Sequence, residues 1–169
     1  MSNEELVALF HHRWAPPALV VLAERGAARF VEIQRTLGAG SNSLRQALDA
    51  LLDLGYARRN PGYGHPLRPE YCVTDPGRAV GKTCALVLQA ADPEVLLRKW
   101  SVPTLAQLDE PRRFSELRTG LGSVTPRALA LALQELEGAR LIKREVVATR
   151  PPSAVYRSTG KGRRIAQLI

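Results

Sequence analysis

The chain has 169 residues, room for two small domains of about 80 residues each, and it carries a net charge of +8. Two cysteines exclude a disulfide framework, and no apolar run approaches the ~18 residues of a membrane span. The acidic start, Glu4-Glu5, predicts no signal peptide, so the expected location is the cytoplasm. Residues 1–90 hold ten Lys/Arg against eight Asp/Glu (+2), and residues 91–169 hold fourteen against eight (+6). That balance favours a polyanionic partner and says nothing about sequence preference.

In chain order, Ser2 or Asn3 caps a first helix to about Arg13, and Pro16-Pro17 opens a second over Ala18 to Glu24, ended by Gly26. Phe30 to Leu37 is a third. Gly38-Ala39-Gly40 turns the chain and Ser41 caps a fourth helix, with Leu44, Leu48, Leu51 and Leu52 on its buried face and Gly55 closing it. Tyr56–Asn60 and Glu70–Thr74 read as a two-stranded hairpin around a Pro/Gly-rich loop, Pro61 to Pro66. Pro76 opens a helix to about Ala90, and Ala90-Ala91-Asp92-Pro93 is the joint between domains 1–91 and 92–169.

The order then repeats: a short helix Pro93–Lys99, then Pro103–Leu108, then Phe114–Leu121. Thr125 caps and Pro126 opens the next helix, to Glu137, with Leu129, Leu133 and Leu136 at buried spacing. Leu141–Ala148 and Ala154–Ser158 pair around Thr149 to Pro152, and a last helix starts at Gly162. Two helices joined by a tight turn, the second placed to enter a DNA groove, describe a helix-turn-helix. The hairpin after it makes the fold a winged helix.

The repetition extends to single residues. Trp14 matches Trp100, Arg29-Phe30 matches Arg113-Phe114, Ser41–Arg59 matches Pro126–Arg144, and Tyr71-x-x-Thr74-x-x-Gly77 matches Tyr156-x-x-Thr159-x-x-Gly162. The offsets are 86, 84, 85 and 85 residues, a domain length and far above the 20–50 residues of solenoid repeats. The expected fold class is mainly α with small β wings: tandem winged helix-turn-helix domains arranged as a pseudo-symmetric dimer.

Lys99-Trp100, Glu110 to Leu117, Thr125-Pro126-Arg127, Leu133 to Glu137, Pro151-Pro152 and Tyr156-x-x-Thr159-x-x-Gly162 resemble the HxlR-type winged-helix transcriptional regulators in order and spacing. Arg13-Trp14, Arg29-Phe30, Leu51-x-x-Leu54-Gly55-Tyr56 and Tyr71 to Arg78 carry a weaker copy. Members are usually single winged helices that dimerise on operator DNA. The resemblance therefore implies a fused dimer that binds double-stranded DNA, without enzymatic activity and with further dimerisation open. The cysteine through which some members sense electrophiles, just before the lysine-tryptophan pair, is missing in both copies.

Arg45 and Gln46 are the candidate base readers, since arginine pairs bidentately with guanine and glutamine with adenine. Ser41, Asn42 and Thr125 suit helix capping and phosphate contact, and Arg127 suits either contact. On the wings, Arg58, Arg59 and Arg68, and Lys143, Arg144, Arg150 and Arg157, suit phosphate, with Arg68 and Arg150 nearest the loop tips. The second copy offers Ala130-Leu131-Ala132 where the first has Arg45 and Gln46. That apolar stretch leaves open an alternative, a degenerate winged helix that binds a small molecule or a protein. Trp14 and Trp100 suit core packing first and a flat effector ligand second. Gly77 to Thr83 looks like a phosphate-binding loop but has three residues, not four, before Gly-Lys-Thr. His11 and His12 are expected on different sides of their helix, and His11, His12 and His65 lack partners at metal-ligand spacing. No metal, cofactor or catalytic set is expected.

Overall fold

The computed structural model of the protein describes residues 1–60, 69–147 and 153–169. Contacts divide it into two units, Met1 with Ala8–Leu86, and Ser2–Val7 with Val87–Ile169. The first half of the chain runs α1 (Asn3–His11), α2 (Ala15–Arg25), β1 (Ala27–Arg29), α3 (Phe30–Leu37), α4 (Ser41–Asp53), β2 (Ala57–Asn60), β3 (Glu70–Val73) and α5 (Asp75–Ala90). The second runs α6 (Pro93–Leu96), α7 (Ser101–Ala106), β4 (Arg112–Arg113), α8 (Phe114–Leu121), α9 (Pro126–Gly138), β5 (Ile142–Val147), β6 (Ser153–Ser158) and α10 (Gly160–Ala166). The chain is mainly α with small antiparallel sheets, and each unit has two helices joined by a tight turn followed by a hairpin, in tandem, as the sequence predicts. No single helix among the described residues is long and apolar enough to cross a membrane.

Both sheets have a third strand that the hairpin reading lacks. Their orders are β1-β3-β2 and β4-β6-β5, all antiparallel, with Ala28 and Arg59 both opposite Tyr71, and Arg112 and Arg144 both opposite Tyr156. β1 and β4 have three and two residues, too few for any alternation to show in sequence. Each leads straight into a helix. The backbone N–H of Arg29 donates to Glu32 Oε2 (2.7 Å) and that of Arg113 to Glu116 Oε2 (2.6 Å), so a glutamate in the first turn satisfies the donor that precedes it.

Helix starts shift by a few residues. α2 begins at Ala15 and α7 at Ser101, so Pro16, Pro17 and Pro103 lie inside the first turn, where a missing N–H costs nothing. Trp14 and Trp100 are the residues just before them. α4 begins at Ser41 with Gly40 as its N-cap, so Ser41 does not cap it; its hydroxyl accepts from Gln34 Nε2 instead (2.8 Å). Thr125 does cap α9, accepting from the Ala128 N–H (3.2 Å), and Asp92 caps α6 through the Glu94 N–H (2.9 Å).

The core of the first unit gathers Leu9, Phe10, Leu19, Leu22, Ile33, Leu44, Leu48 and Leu51, and that of the second Leu96, Leu105, Leu108, Leu117, Leu129, Leu133, Leu136 and Ile165. Leu44, Ala47, Leu48 and Leu51 of α4 are all fully buried, the stripe that its spacing demands. In the second unit the N-terminal Asn3 is fixed at both ends of its amide: its Nδ2 donates to the Gly120 carbonyl (2.8 Å) and its Oδ1 accepts from Gln107 Nε2 (3.1 Å).

The Thr-x-x-Gly of each copy ties three elements together. The Thr74 hydroxyl accepts from the Gly77 N–H (3.1 Å) and donates to the Gly55 carbonyl (2.7 Å), while the Thr74 N–H donates to the Tyr56 carbonyl (3.1 Å). Thr159 repeats this with the Gly162 N–H (3.2 Å), the Arg140 carbonyl (2.9 Å) and the Leu141 carbonyl (2.9 Å). A Cβ on Gly77 would collide with the Tyr56 carbonyl, and one on Gly162 with that of Leu141. The glycines therefore set how closely the next helix approaches the end of α4 or α9.

One difference between the copies is energetic. Ser101 and Thr104 in α7 are fully buried, and neither Oγ nor Oγ1 finds a hydrogen-bond partner among the described residues. At the offset of the tryptophans, Ala15 and Ala18 hold these places in α2, also fully buried. An orphaned buried hydroxyl costs about 1–3 kcal/mol. Replacing Ser101 by Ala and Thr104 by Val keeps the volume and should raise the unfolding free energy by about 1–3 kcal/mol for each hydroxyl removed. The readout is a higher urea midpoint at constant slope; a lower midpoint would mean that the hydroxyls are satisfied after all.

Candidate nucleic-acid interface

The turn that aims α4 is built from Gly38, Ala39 and Gly40. Gly38 takes φ 64° and returns its N–H to the Gln34 carbonyl (2.8 Å). Ala39 is buried, and the Gln34 amide donates to the Ala39 carbonyl (3.2 Å) as well as to Ser41. In the second unit Gly122 takes φ 68° and Val124 is the buried turn residue before Thr125. A left-handed glycine and one buried apolar residue thus fix the angle between the two helices in each copy.

With Leu44, Ala47, Leu48 and Leu51 buried, α4 exposes Asn42, Arg45, Gln46 and Asp49. They stand at i, i+3, i+4 and i+7 and form one outward face. The corresponding face of α9 is Arg127, Ala130, Leu131 and Gln134, all exposed, Leu131 by 51%. Ala132 belongs to the core at 4% exposure, so the apolar stretch read from the sequence splits into two surface residues and one buried one. Gln134 was missed there; its spacing of seven from Arg127 is the signal that places it on this face.

Wing cations are more tied up than their sequence suggests. Arg59 lies 3.3 Å from Asp49 on α4, and its guanidinium sits 5.5 Å from the centre of the Tyr71 ring. Both partners of that pair are more than half exposed, so it contributes geometry rather than stability. On the second wing Glu145 neutralises charge, with Lys143 Nζ at 2.8 Å and Arg157 at 3.6 Å. The Lys143 contact, with both cations nearby, holds the Glu145 carboxyl below its usual range. The Arg144 side chain is exposed, while its N–H donates to Glu137 Oε1 (3.3 Å). Arg58 is exposed on β2. Arg68, Arg150, His65 and the loop tips lie outside the described residues.

Trp100 is buried and Trp14 half-buried. Each ring has a cation of its own chain over it, Lys99 at 4.8 Å and Arg13 at 5.7 Å. A cavity of about 410 Å³ in the second unit is lined by Asp92, Arg98, Glu135 and Lys161, with Arg98 and Glu135 paired at 3.5 Å. The His11 and His12 rings are 4.8 Å apart, because α1 stops at His11 and His12 leaves the helix. They do not point to different sides of it. No cluster of three metal-ligating side chains occurs among the described residues. Both cysteines are free and buried.

The profile of the HxlR-like helix-turn-helix family matches this sequence twice, over residues 9–92 and 95–169. An uncharacterised HTH-type transcriptional regulator of Methanothermobacter thermautotrophicus is 36% identical over 72 residues, 42% of this chain and 55% of that protein. This chain thus spans little more than half of that relative. YvaP of Bacillus subtilis, an uncharacterised HTH-type transcriptional regulator, is 31% identical over 77 residues, 45% of this chain and 71% of that one. Among solved structures, the redox regulator HypR in its oxidised form is 34% identical, with a TM-score of 0.42 over 44% of this chain and 78% of that one.

Burial pushes the Cys84 thiol up to about 12, and the thiolate is the reactive form. Cys84 should therefore stay unmodified by iodoacetamide between pH 7 and pH 9 in the folded protein, and alkylate readily once denatured. Mass spectrometry of the labelled peptide reads the result; rapid native labelling would show that the helix opens there.

Proposed function

This chain belongs to the HxlR-like helix-turn-helix family, and we propose that it is a double-stranded DNA-binding transcriptional regulator, a single polypeptide equivalent to a winged-helix dimer. The observation that carries this reading is the face of α4. Asn42, Arg45 and Gln46 stand exposed together on the second helix of a helix-turn-helix whose turn fixes the aim of that helix. All three have bidentate geometry, arginine for guanine and asparagine or glutamine for adenine. The other half supplies most of the charge, +6 against +2. The first unit accordingly provides hydrogen-bonding readout, while the second contributes mainly phosphate contact through Arg127, Lys143 and Arg144. Arg68 and Arg150 are assigned to phosphate on their sequence positions alone, and Arg59 doubles as a brace between wing and helix. The relatives named as regulators make an enzymatic role unneeded, and the cytoplasm is the compartment that such a function requires.

A second reading has one observation in its favour. Ala130 and Leu131 present an apolar surface on α9 where a base reader is expected, which suits a module that binds a small molecule or a protein.

Fluorescence anisotropy on duplex DNA separates the two. With roughly 6–10 phosphate contacts, affinity should fall about 10³–10⁵-fold between 50 and 200 mM salt. One chain should saturate one duplex, with two half-sites about one turn, ~34 Å, apart in a footprint. A flat salt response, or no binding at low salt, favours the second reading.

Substitutions then divide by role. Arg45→Ala or Gln46→Ala should cost about 1–3 kcal/mol on a selected site and relax its sequence preference. Lys143→Ala should weaken binding to every sequence alike and lower the salt slope by about one. If Arg45→Ala leaves the ratio of specific to random affinity unchanged, α4 is not the reader.

A further inference from the structure

We propose that α9 reads the 5-methyl groups of thymine in the major groove, through Leu131 and Ala130, so that the second unit selects an A·T-bearing half-site. The inference rests on the DNA-binding reading above and adds base recognition to a unit otherwise assigned to phosphate. Leu131 is half exposed although Leu129, Ala132 and Leu133 around it are buried. It therefore lies outside the core, on the face that also carries Arg127, Ala130 and Gln134. In the aligned copy these places are Asn42, Arg45, Gln46 and Asp49, so Ala130 and Leu131 stand where the first unit holds its base readers.

The surroundings select the occupant. Arg127 on the same face and Arg144 on the sheet of the same unit are exposed cations, while Lys143 and Arg157 share the one carboxylate of Glu145 and leave that edge net positive. A second copy would bring like charges to this surface, which is unfavourable across a contact. Duplex DNA combines a polyanionic frame with one apolar group on its major-groove edge, the thymine methyl, and small apolar side chains meet it there. Gln134, one turn further along, has the bidentate geometry for adenine. Leucine and glutamine on one face thus ask for the same kind of base pair, thymine by its methyl and adenine by its N6 and N7.

The test uses the full chain and a duplex pool with a randomised core, amplified from unmodified nucleotides so that thymine is the only source of the methyl group. The recovered duplex is remade with uracil for thymine, which removes the methyl and leaves every hydrogen-bonding group. Wild-type protein should lose about fourfold in affinity for each methyl that it covers. Leu131→Ala should bind the thymine duplex more weakly than wild type and show a smaller thymine-to-uracil ratio; Arg45→Ala should keep the wild-type ratio. Circular dichroism checks that the variants fold. Equal wild-type affinity for the two duplexes overturns the proposal while DNA binding stands. So does a Leu131→Ala variant with the wild-type ratio, or Leu131-dependent self-association in sedimentation without DNA. If no duplex is retained at low salt, the DNA-binding reading itself falls, and this inference with it.

Discussion

Each unit is organised around the contact between a glycine and a carbonyl just past the end of α4 or α9. Gly77 lies against the Tyr56 carbonyl and Gly162 against that of Leu141, so closely that no side chain fits. The neighbouring threonine bonds the glycine N–H on one side and the end of α4 or α9 on the other. Three directions are settled at one point: where the helix stops, where the wing returns, and where the next helix departs. The outward face of α4 keeps its aim because its exit is fixed here and its entry by Gly38 and Ala39. A helix pinned at both ends can vary its exposed residues freely, which is what the two copies have done.

The copies differ in chemistry on a shared frame. Leu44, Ala47, Leu48 and Leu51 in α4 correspond to Leu129, Ala132, Leu133 and Leu136 in α9, and all are buried. Their outward residues differ at every matched position. The wings follow the same rule: Arg59 is braced by Asp49 and Tyr71, whereas Lys143 and Arg157 share Glu145. Net charge overstates what either wing can offer a phosphate, because part of it is already paired within the protein.

Much of this was legible in the sequence because helical periodicity and capping are local. α3, α8 and the leucine stripes follow from spacing, and the Tyr-x-x-Thr-x-x-Gly repeats mark the joints before their role is visible. The third strands were not legible. Ala27–Arg29 and Arg112–Arg113 are strands only because β3 and β6 offer them an edge, a tertiary fact that two or three residues cannot encode. Ser41 misled because serine before a leucine stripe resembles a cap, yet Gly40 already holds that place and Gln34 takes the hydroxyl. The partners of Arg59 and Lys143 were hidden for the same reason, since a cation's spacing along the chain does not reveal the carboxylate beside it.

Duplication also separates what the frame requires from what it tolerates. After α4 the chain reverses through Gly55 at φ 70°, and the Tyr56 N–H closes on the Leu51 carbonyl. After α9 the same reversal passes through Arg140 at φ 57°, and the Leu141 N–H closes on the Leu136 carbonyl. A left-handed backbone costs arginine about 1 kcal/mol or more relative to glycine, yet the hydrogen bonds are the same. The frame therefore tolerates a strained residue at this turn. It tolerates none at Gly77 and Gly162, where the obstacle is a carbonyl oxygen in the space of a Cβ rather than a torsional preference. That distinction explains why the motif repeats its threonine and glycine while the residue that ends the helix has changed.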